Sequence, residues 1–175
     1  MNAPEFSRTV RVDTLGTEPR RLSIEADEGE RAALAKRFGI VEIARLTAEA
    51  ELTRKGAEIV AAGRMQAAVT QSCVASGEPV AAEIDEPFEL LFRPAPAPAA
   101  PDEEVELGEG ELDVVFHDGA DIDLGEAVAE TLSLALDPYP RSPNAEEALK
   151  AAGVKSEEEA GPFGALTGLR DQLKK

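Results

Sequence analysis

One cysteine and one histidine are the residues best suited to covalent or metal chemistry in this chain of 175 residues. Cys73 and His117 are the types that form a nucleophile and base pair in cysteine hydrolases. Such a pair also needs a third group to orient the histidine, and no motif supplies one. A structural zinc site needs four ligands, so the two fall short of it. We therefore expect no catalytic residue, no metal and no cofactor, with Cys73 structural and a Cys/His hydrolase as a remote alternative.

The segment from Asp121 to Gly125 (DIDLG) is the nearest approach to a cation-binding motif. A calcium loop needs Asp or Asn where this chain has Gly125, so the motif fails. Asp123 and Glu126 have instead the spacing of a capping box, which predicts that they begin a helix. The sequence has no phosphate-binding loop, no dinucleotide glycine motif and no nucleophile elbow.

Acidic residues dominate the chain and are concentrated in one segment. There are 35 acidic and 18 basic residues, which give a formal charge of −17, and the stretch between Arg93 and Arg141 has 13 acids and no Lys or Arg. Such a segment repels phosphate and attracts basic partners, although an acidic surface that serves solubility is the alternative. The five acids predicted to contact a basic partner are Asp102, Glu103, Glu104, Glu106 and Glu109.

Four arginines near the N-terminus are the alternative binding residues. Arg8, Arg11, Arg20 and Arg21 lie close together in sequence and could form a basic strip that contacts RNA. Aromatic residues for base stacking are missing, and a chain of this charge repels phosphate. We therefore rank direct RNA contact below a protein partner.

Two short extended segments open the chain. Phe6, Val10 and Val12 alternate with polar residues, and residues 22–26 are a second extended piece. Since residues 16–20 have the composition of a loop, the two segments are predicted to pair as a hairpin.

Two amphipathic segments predict helices. Asp27 and Glu30 form a capping box before a helix over about 28–38, and Gly39 is a natural stop. The second helix, over about 124–136, has an apolar residue every four positions. Each helix has one apolar stripe that must be buried against another element.

Residues 40–93 have a period of two, which predicts an antiparallel meander of three strands. Gly63 and Pro87 interrupt the pattern and allow bends, so the sheet could curl into a partial barrel. The predicted inward rows are Leu46, Ala48, Ala50 and Leu52; Ile59, Ala61, Met65, Ala67 and Val69; and Val80, Ala82, Ile84, Phe88, Leu90 and Phe92.

Together these elements predict an α+β fold with an antiparallel sheet of four or more strands and two main helices packed on it. Residues 1–140 form the predicted domain, with an exposed Pro/Ala-rich and acidic loop at 94–111 and a further strand at 112–116. Residues 141–175 are predicted to be a short helical tail. The absence of a signal-like N-terminus, of a long apolar run and of paired cysteines predicts a cytoplasmic protein without membrane contact.

Two stretches of the sequence resemble a known family. The first runs from residue 69 to 88 and includes Cys73, Glu78 and Pro79; the second follows residue 120. Asp121, Asp123 and Leu124 begin the second stretch, and Pro138 and Pro140 close it. These motifs are similar to those of the YceD family, the large ribosomal RNA subunit accumulation proteins of bacteria and plastids.

The resemblance implies a role in the accumulation of 23S ribosomal RNA and no established catalytic residue. Some relatives have a second cysteine near the position of Cys73, where this chain has Ser76 and Gly77, so a metal role in those relatives does not transfer. Combined with the charge, the resemblance predicts a non-enzymatic assembly factor that binds a basic ribosomal protein or the pre-ribosomal large subunit, with no small-molecule substrate.

Overall fold

The computed structural model describes residues 4–95 and 113–154, which form an α+β fold as predicted. These ranges contain seven strands, three α-helices and one 3-10 turn at Val12–Thr14. The strands are β1 (Thr9–Arg11), β2 (Arg20–Glu25), β3 (Glu42–Lys55), β4 (Glu58–Ser72), β5 (Pro79–Pro94), β6 (Asp113–His117) and β7 (Asp121–Asp123). The helices are α1 (Glu28–Phe38), α2 (Leu124–Ala135) and α3 (Ala145–Ala151).

The predicted meander is the centre of a five-stranded sheet with the order β2-β3-β4-β5-β6. β2 and β4 both pair antiparallel with β3, and the register places Leu46 opposite Ala67. The first two predicted inward rows are buried. The third is buried from Phe88 onward, whereas Ala82 is exposed, so that part of the prediction is wrong.

The expectation of an antiparallel sheet is wrong at one edge, because β6 pairs parallel with β5. Parallel neighbours need a connection of a dozen residues or more, and residues 95–112 supply that length. The sheet is therefore mixed. Within the described residues it stays open between its edges β2 and β6, so the partial barrel does not close.

The predicted N-terminal hairpin is also wrong. β1 pairs antiparallel with β7 in a separate two-stranded sheet, and β2 pairs with β3. Val10 lies opposite Ile122, and both side chains are buried. The two residues are far apart in sequence. Burial of their side chains favours the pairing of β1 with β7 over the pairing of β1 with β2 across the local loop.

The predicted stripes of both main helices face the core. Leu34 of α1 and Leu124, Val128 and Leu132 of α2 are buried in it, whereas Phe38 and Leu136 pack against it and are partly exposed. The capping box that begins α1 is present, since the Asp27 side chain accepts from the Glu30 N–H and the Glu30 carboxylate accepts from the Asp27 N–H.

Gly125 in the first turn of α2 allows the N-terminal segment to pass close to the helix. A Cβ atom at this position would lie 2.6 Å from the Phe6 carbonyl oxygen and 2.8 Å from the Arg8 nitrogen. Contacts this short with backbone atoms require the two segments to separate. Glycine is therefore the residue that lets β1 and α2 approach each other.

The chain divides into two compact units. The first comprises Met1–Gln71 and Ala81–Asp137, and the second comprises Ser72–Val80 and Pro138–Lys175. The described part of the second unit contains the turn between β4 and β5 and helix α3. The predicted domain boundary after residue 140 stays a prediction. Among the helices described, none is long and apolar enough to cross a membrane.

Candidate functional site

The turn that contains Cys73 is closed by hydrogen bonds from its own backbone. The Cys73 N–H donates to the Glu78 carbonyl at 2.8 Å, and the Gly77 N–H donates to the Cys73 carbonyl at 2.9 Å. The Ser76 N–H donates to the Cys73 sulfur at 3.4 Å. The thiol is buried and points into the turn, with 3% of the residue exposed.

Glu78 holds the segment after α2 in place within the same unit. Its Oε2 atom accepts from the Ser142 hydroxyl at 2.7 Å and from the Ser76 hydroxyl at 3.1 Å. The Asn144 amide donates to Oε1 at 3.2 Å. The Val74 N–H donates to the Pro140 carbonyl at 2.9 Å, so backbone and side chains connect the same two segments.

These contacts lower the pKa values of both ionisable groups in the turn. The Ser142 backbone N–H is the main cause that lowers the pKa of the Cys73 thiol from 9.0 to about 6, and the Ser76 side chain adds to it. Hydrogen bonds from Ser142, Asn144 and Ser76 lower the pKa of the Glu78 carboxyl. Neutral hydrogen-bond donors thus favour the charged form of each group.

Ser142 and Asn144 were missed by sequence reasoning. They lie more than 60 residues from Glu78 and belong to no periodic pattern. The one available signal was Pro138 and Pro140, which end α2 and direct the chain into an extended segment. That signal indicates where the helix ends and gives no information on which residue the next side chains contact.

Asp121, Asp123 and Leu124, from the second stretch that resembles the family, all make contacts that stabilise the fold. Asp123 accepts from the Glu126 N–H at 3.1 Å as the cap of α2, and from the Arg8 N–H at 2.8 Å. Asp121 lies opposite Arg11 in the β1–β7 register, and Leu124 is fully buried. This motif therefore joins β1 to α2.

The predicted capping box at the start of α2 is only half formed, since one of its two hydrogen bonds is present. The Glu126 carboxylate does not return to its cap and instead accepts two hydrogen bonds from Arg37, at 2.8 and 3.0 Å. Arg37 also donates to Glu5 at 3.0 Å. The arginine thus connects α1, α2 and the N-terminal segment, which is why a local sequence rule did not predict the Glu126 contact.

Arg8, the first arginine predicted to contact RNA, is held by protein groups. Its guanidinium donates to both carboxylate oxygens of Glu30, at 2.6 and 2.8 Å, and to the Glu25 carbonyl at 2.8 Å. It also lies 4.7 Å from the centre of the Phe6 ring. A phosphate would have to displace these partners.

The other three arginines differ in their surroundings. Arg11 pairs with Asp13, and Arg21 pairs with Glu51 at 2.6 Å. Arg20 forms no ion pair with a residue that the structure describes. Arg8, Arg11 and Arg20 line one cleft, whereas Arg21 lines a different surface on the strands β2 to β4. The structure thus brings three of the four predicted arginines together.

The acids predicted as the partner surface, Asp102 to Glu109, lie outside the described residues. The described residues are strongly acidic without them, with 25 acidic and 14 basic side chains. Seven of the eleven arginines in those ranges are ion-paired to carboxylates. Half of the 14 positive charges in the described residues are therefore neutralised within the protein.

His117 ends β6 and is buried. Its Nδ1 atom accepts from the Gly119 N–H at 3.0 Å, and its Nε2 atom has no hydrogen-bond partner among the described residues. The sulfur of Cys73, for comparison, has its hydrogen-bond donors in Ser76 and Ser142. In residues 4–95 and 113–154, no three His, Cys, Asp or Glu side chains gather in a way that could hold a metal ion.

Comparison with known proteins identifies one family. The family model described as large ribosomal RNA subunit accumulation protein YceD matches residues 61–170, which is more than half of the chain. No curated protein and no solved structure matches the sequence or the fold. The matched range contains the Cys73 turn, the Glu78 contacts, β7 and α2. The chain belongs to the YceD family.

Proposed function

We propose that this protein is a non-enzymatic assembly factor that supports 23S ribosomal RNA accumulation by binding a basic protein of the large ribosomal subunit. The acidic segment that contains Asp102, Glu103, Glu104, Glu106 and Glu109 is the proposed contact surface. A basic ribosomal protein outside the ribosome binds RNA indiscriminately, and an acidic partner shields it through complementary charge.

The observation that carries this proposal is the distribution of charge over the described residues. Acids exceed bases by 11 there, and seven arginines are already paired to carboxylates. An RNA backbone would meet a repulsive field, with half of the cations already in ion pairs. A basic protein would meet attraction over most of the surface, which also accelerates association.

Direct contact with pre-ribosomal RNA is the second candidate. The cleft lined by Arg8, Arg11 and Arg20 supports it, because it gathers positive charge in an acidic protein. Arg8 and Arg11 already have carboxylate partners, and no aromatic side chain lines the cleft to stack on a base. These features favour the protein partner.

Affinity purification from growing cells, with and without ribonuclease, tests the proposal. We expect large-subunit proteins of high positive charge to stay bound after ribonuclease treatment and to be released by about 0.5 M salt, because salt screens the attraction between charges. Loss of all bound proteins with ribonuclease would show that RNA mediates the association, and the arginine-lined cleft would become the leading site.

A further inference from the structure

The cleft between β1 and β2 is open to both strands and has a volume of about 590 Å³. Neither strand has a partner on this side among the described residues, since β1 pairs with β7 and β2 with β3. Val10, Leu22, Ile24 and Leu124 supply its apolar lining. Unpaired strand edges of this kind are templates for another extended chain.

The register of β2 shows which of its backbone groups point away from β3. The Ala26 N–H donates to the Leu46 carbonyl at 3.0 Å, in the same register that pairs Ile24 with Ala48. Even-numbered residues of β2 therefore bond to β3, and the N–H and C=O groups of Arg21 and Ser23 point to the opposite edge. This edge can accept a further strand.

The register of β1 leads to the same result. The Val12 N–H donates to the Ala120 carbonyl at 3.0 Å, which continues the pairing of Val10 with Ile122. The backbone groups of Thr9 therefore point away from β7. Each strand thus directs backbone groups away from its sheet partner, and an inserted segment could form hydrogen bonds with them.

The charge of the lining distinguishes the cleft from the rest of the protein. Among the described residues, three arginines and no acidic residue line it, in a chain with 35 acids and 18 bases. Arg8 and Arg11 are held by Glu30 and Asp13. Arg20 donates one hydrogen bond, to the Thr14 hydroxyl at 3.1 Å, and is the guanidinium most readily available to a new carboxylate.

We propose that this cleft binds an extended acidic segment of a partner protein, which inserts as a strand between β1 and β2 with its carboxylates on Arg20 and Arg11. The backbone edges select an extended peptide, and the arginines select its acidic side chains. A nucleic acid would satisfy the arginines but not the backbone donors and acceptors of Thr9, Arg21 and Ser23. This site is separate from the proposed acidic contact surface, so either can fail without the other.

Binding of a fluorescent ten-residue peptide that alternates Glu and Val tests the proposal on the full chain. We expect saturable binding that weakens at least tenfold in Arg20→Glu. Arg64→Glu is the matched control, since it makes the same change of charge at an exposed arginine of β4 that does not line the cleft, and it should change the affinity less than twofold. N-methylation of alternate peptide nitrogens should also weaken binding at least tenfold, because it removes backbone donors.

Three results would overturn the proposal. They are the absence of saturable binding to the wild-type protein, equal binding of a peptide with Lys in place of Glu, and equal losses in Arg20→Glu and Arg64→Glu. A ten-nucleotide single-stranded RNA that displaces the peptide and itself binds more tightly would assign the cleft to RNA instead.

Discussion

At the residue scale, the hydrogen bonds around Cys73 favour its thiolate form in the folded protein. The Ser142 backbone N–H and the Ser76 groups lower its pKa to about 6. In the unfolded chain the thiol has its ordinary, higher pKa. Deprotonation therefore favours the folded state, and the contribution of Cys73 to stability is largest above the unfolded pKa and is lost as the pH falls through about 6.

Replacement of Cys73 by Ser tests this environment. We expect the free energy of unfolding of the wild-type protein to increase between about pH 6 and pH 9 relative to Cys73→Ser, because the variant has no thiol to titrate. Urea unfolding at a series of pH values measures the difference. A constant difference over that range would show that folding does not lower the pKa of the thiol.

The same variant separates the two interpretations of the cysteine. If Cys73 is structural, a folded Cys73→Ser protein still supports normal levels of 23S ribosomal RNA in cells. If that folded variant loses function, chemistry at the sulfur is required and the hydrolase alternative gains support. Measurement of the stability of the variant beforehand is necessary, because an unfolded protein would lose function for a different reason.

At the element scale, the close approach of the N-terminal segment to α2 depends on Gly125. An alanine in a helix ordinarily stabilises it by about 1 kcal/mol relative to glycine. At Gly125 the added Cβ would meet the Phe6 carbonyl at 2.6 Å, so we expect Gly125→Ala to destabilise the protein by about 1–3 kcal/mol. Thermal or urea unfolding measures this change.

Gly29, in the first turn of α1, provides the matched control. A Cβ atom there would lie 3.4 Å from an Asp27 side-chain oxygen, which is an ordinary contact. We therefore expect Gly29→Ala to be neutral or to stabilise the protein by up to about 1 kcal/mol. Equal effects of the two substitutions would contradict the account of β1 packing against α2.

The sequence predicted well those elements that depend on neighbouring residues. The capping box of Asp27 and Glu30, the apolar stripe of α2 and the alternation of β3 and β4 all act over a few positions, and the structure confirms them. Each follows from one geometric period or one local hydrogen bond, so no tertiary contact is needed to predict it.

Pairings between distant segments were predicted less well. β1 pairs with β7 more than 100 residues away. The Glu126 carboxylate accepts hydrogen bonds from Arg37 rather than from the backbone N–H of its cap residue, Asp123. The Cys73 turn was identified by resemblance, but its contacts with Ser142 and Asn144 were not. Such contacts depend on which buried surfaces meet, and one sequence without a structure does not specify them.

At the scale of the whole molecule, charge is the property that most restricts function. The described residues have a net charge of −11, and the segment between Pro94 and Asp113 adds six acids and no base. Ion pairs such as Arg37 with Glu126 occupy most arginines. The surface presented to a partner is therefore predominantly negative, and the function proposed here follows from that.

Neutralisation of five acids tests most directly the central claim that the acidic segment binds a basic ribosomal protein. The variant changes Asp102 to Asn and Glu103, Glu104, Glu106 and Glu109 to Gln, and the measurement is its Kd for the purified basic proteins of the large ribosomal subunit. Its control neutralises five exposed acids that form no ion pair among the described residues, and these are Glu18, Glu42, Glu86, Glu89 and Glu130. Both variants have the same net charge.

We expect the first variant to bind at least tenfold more weakly than the wild type at about 150 mM salt, with a smaller dependence of Kd on salt. The control should lose less than threefold, because its substitutions alter the overall charge without altering the proposed contact surface. An unchanged Kd in the first variant, or equal losses in both, would contradict the account and leave the arginine-lined cleft as the site to test next.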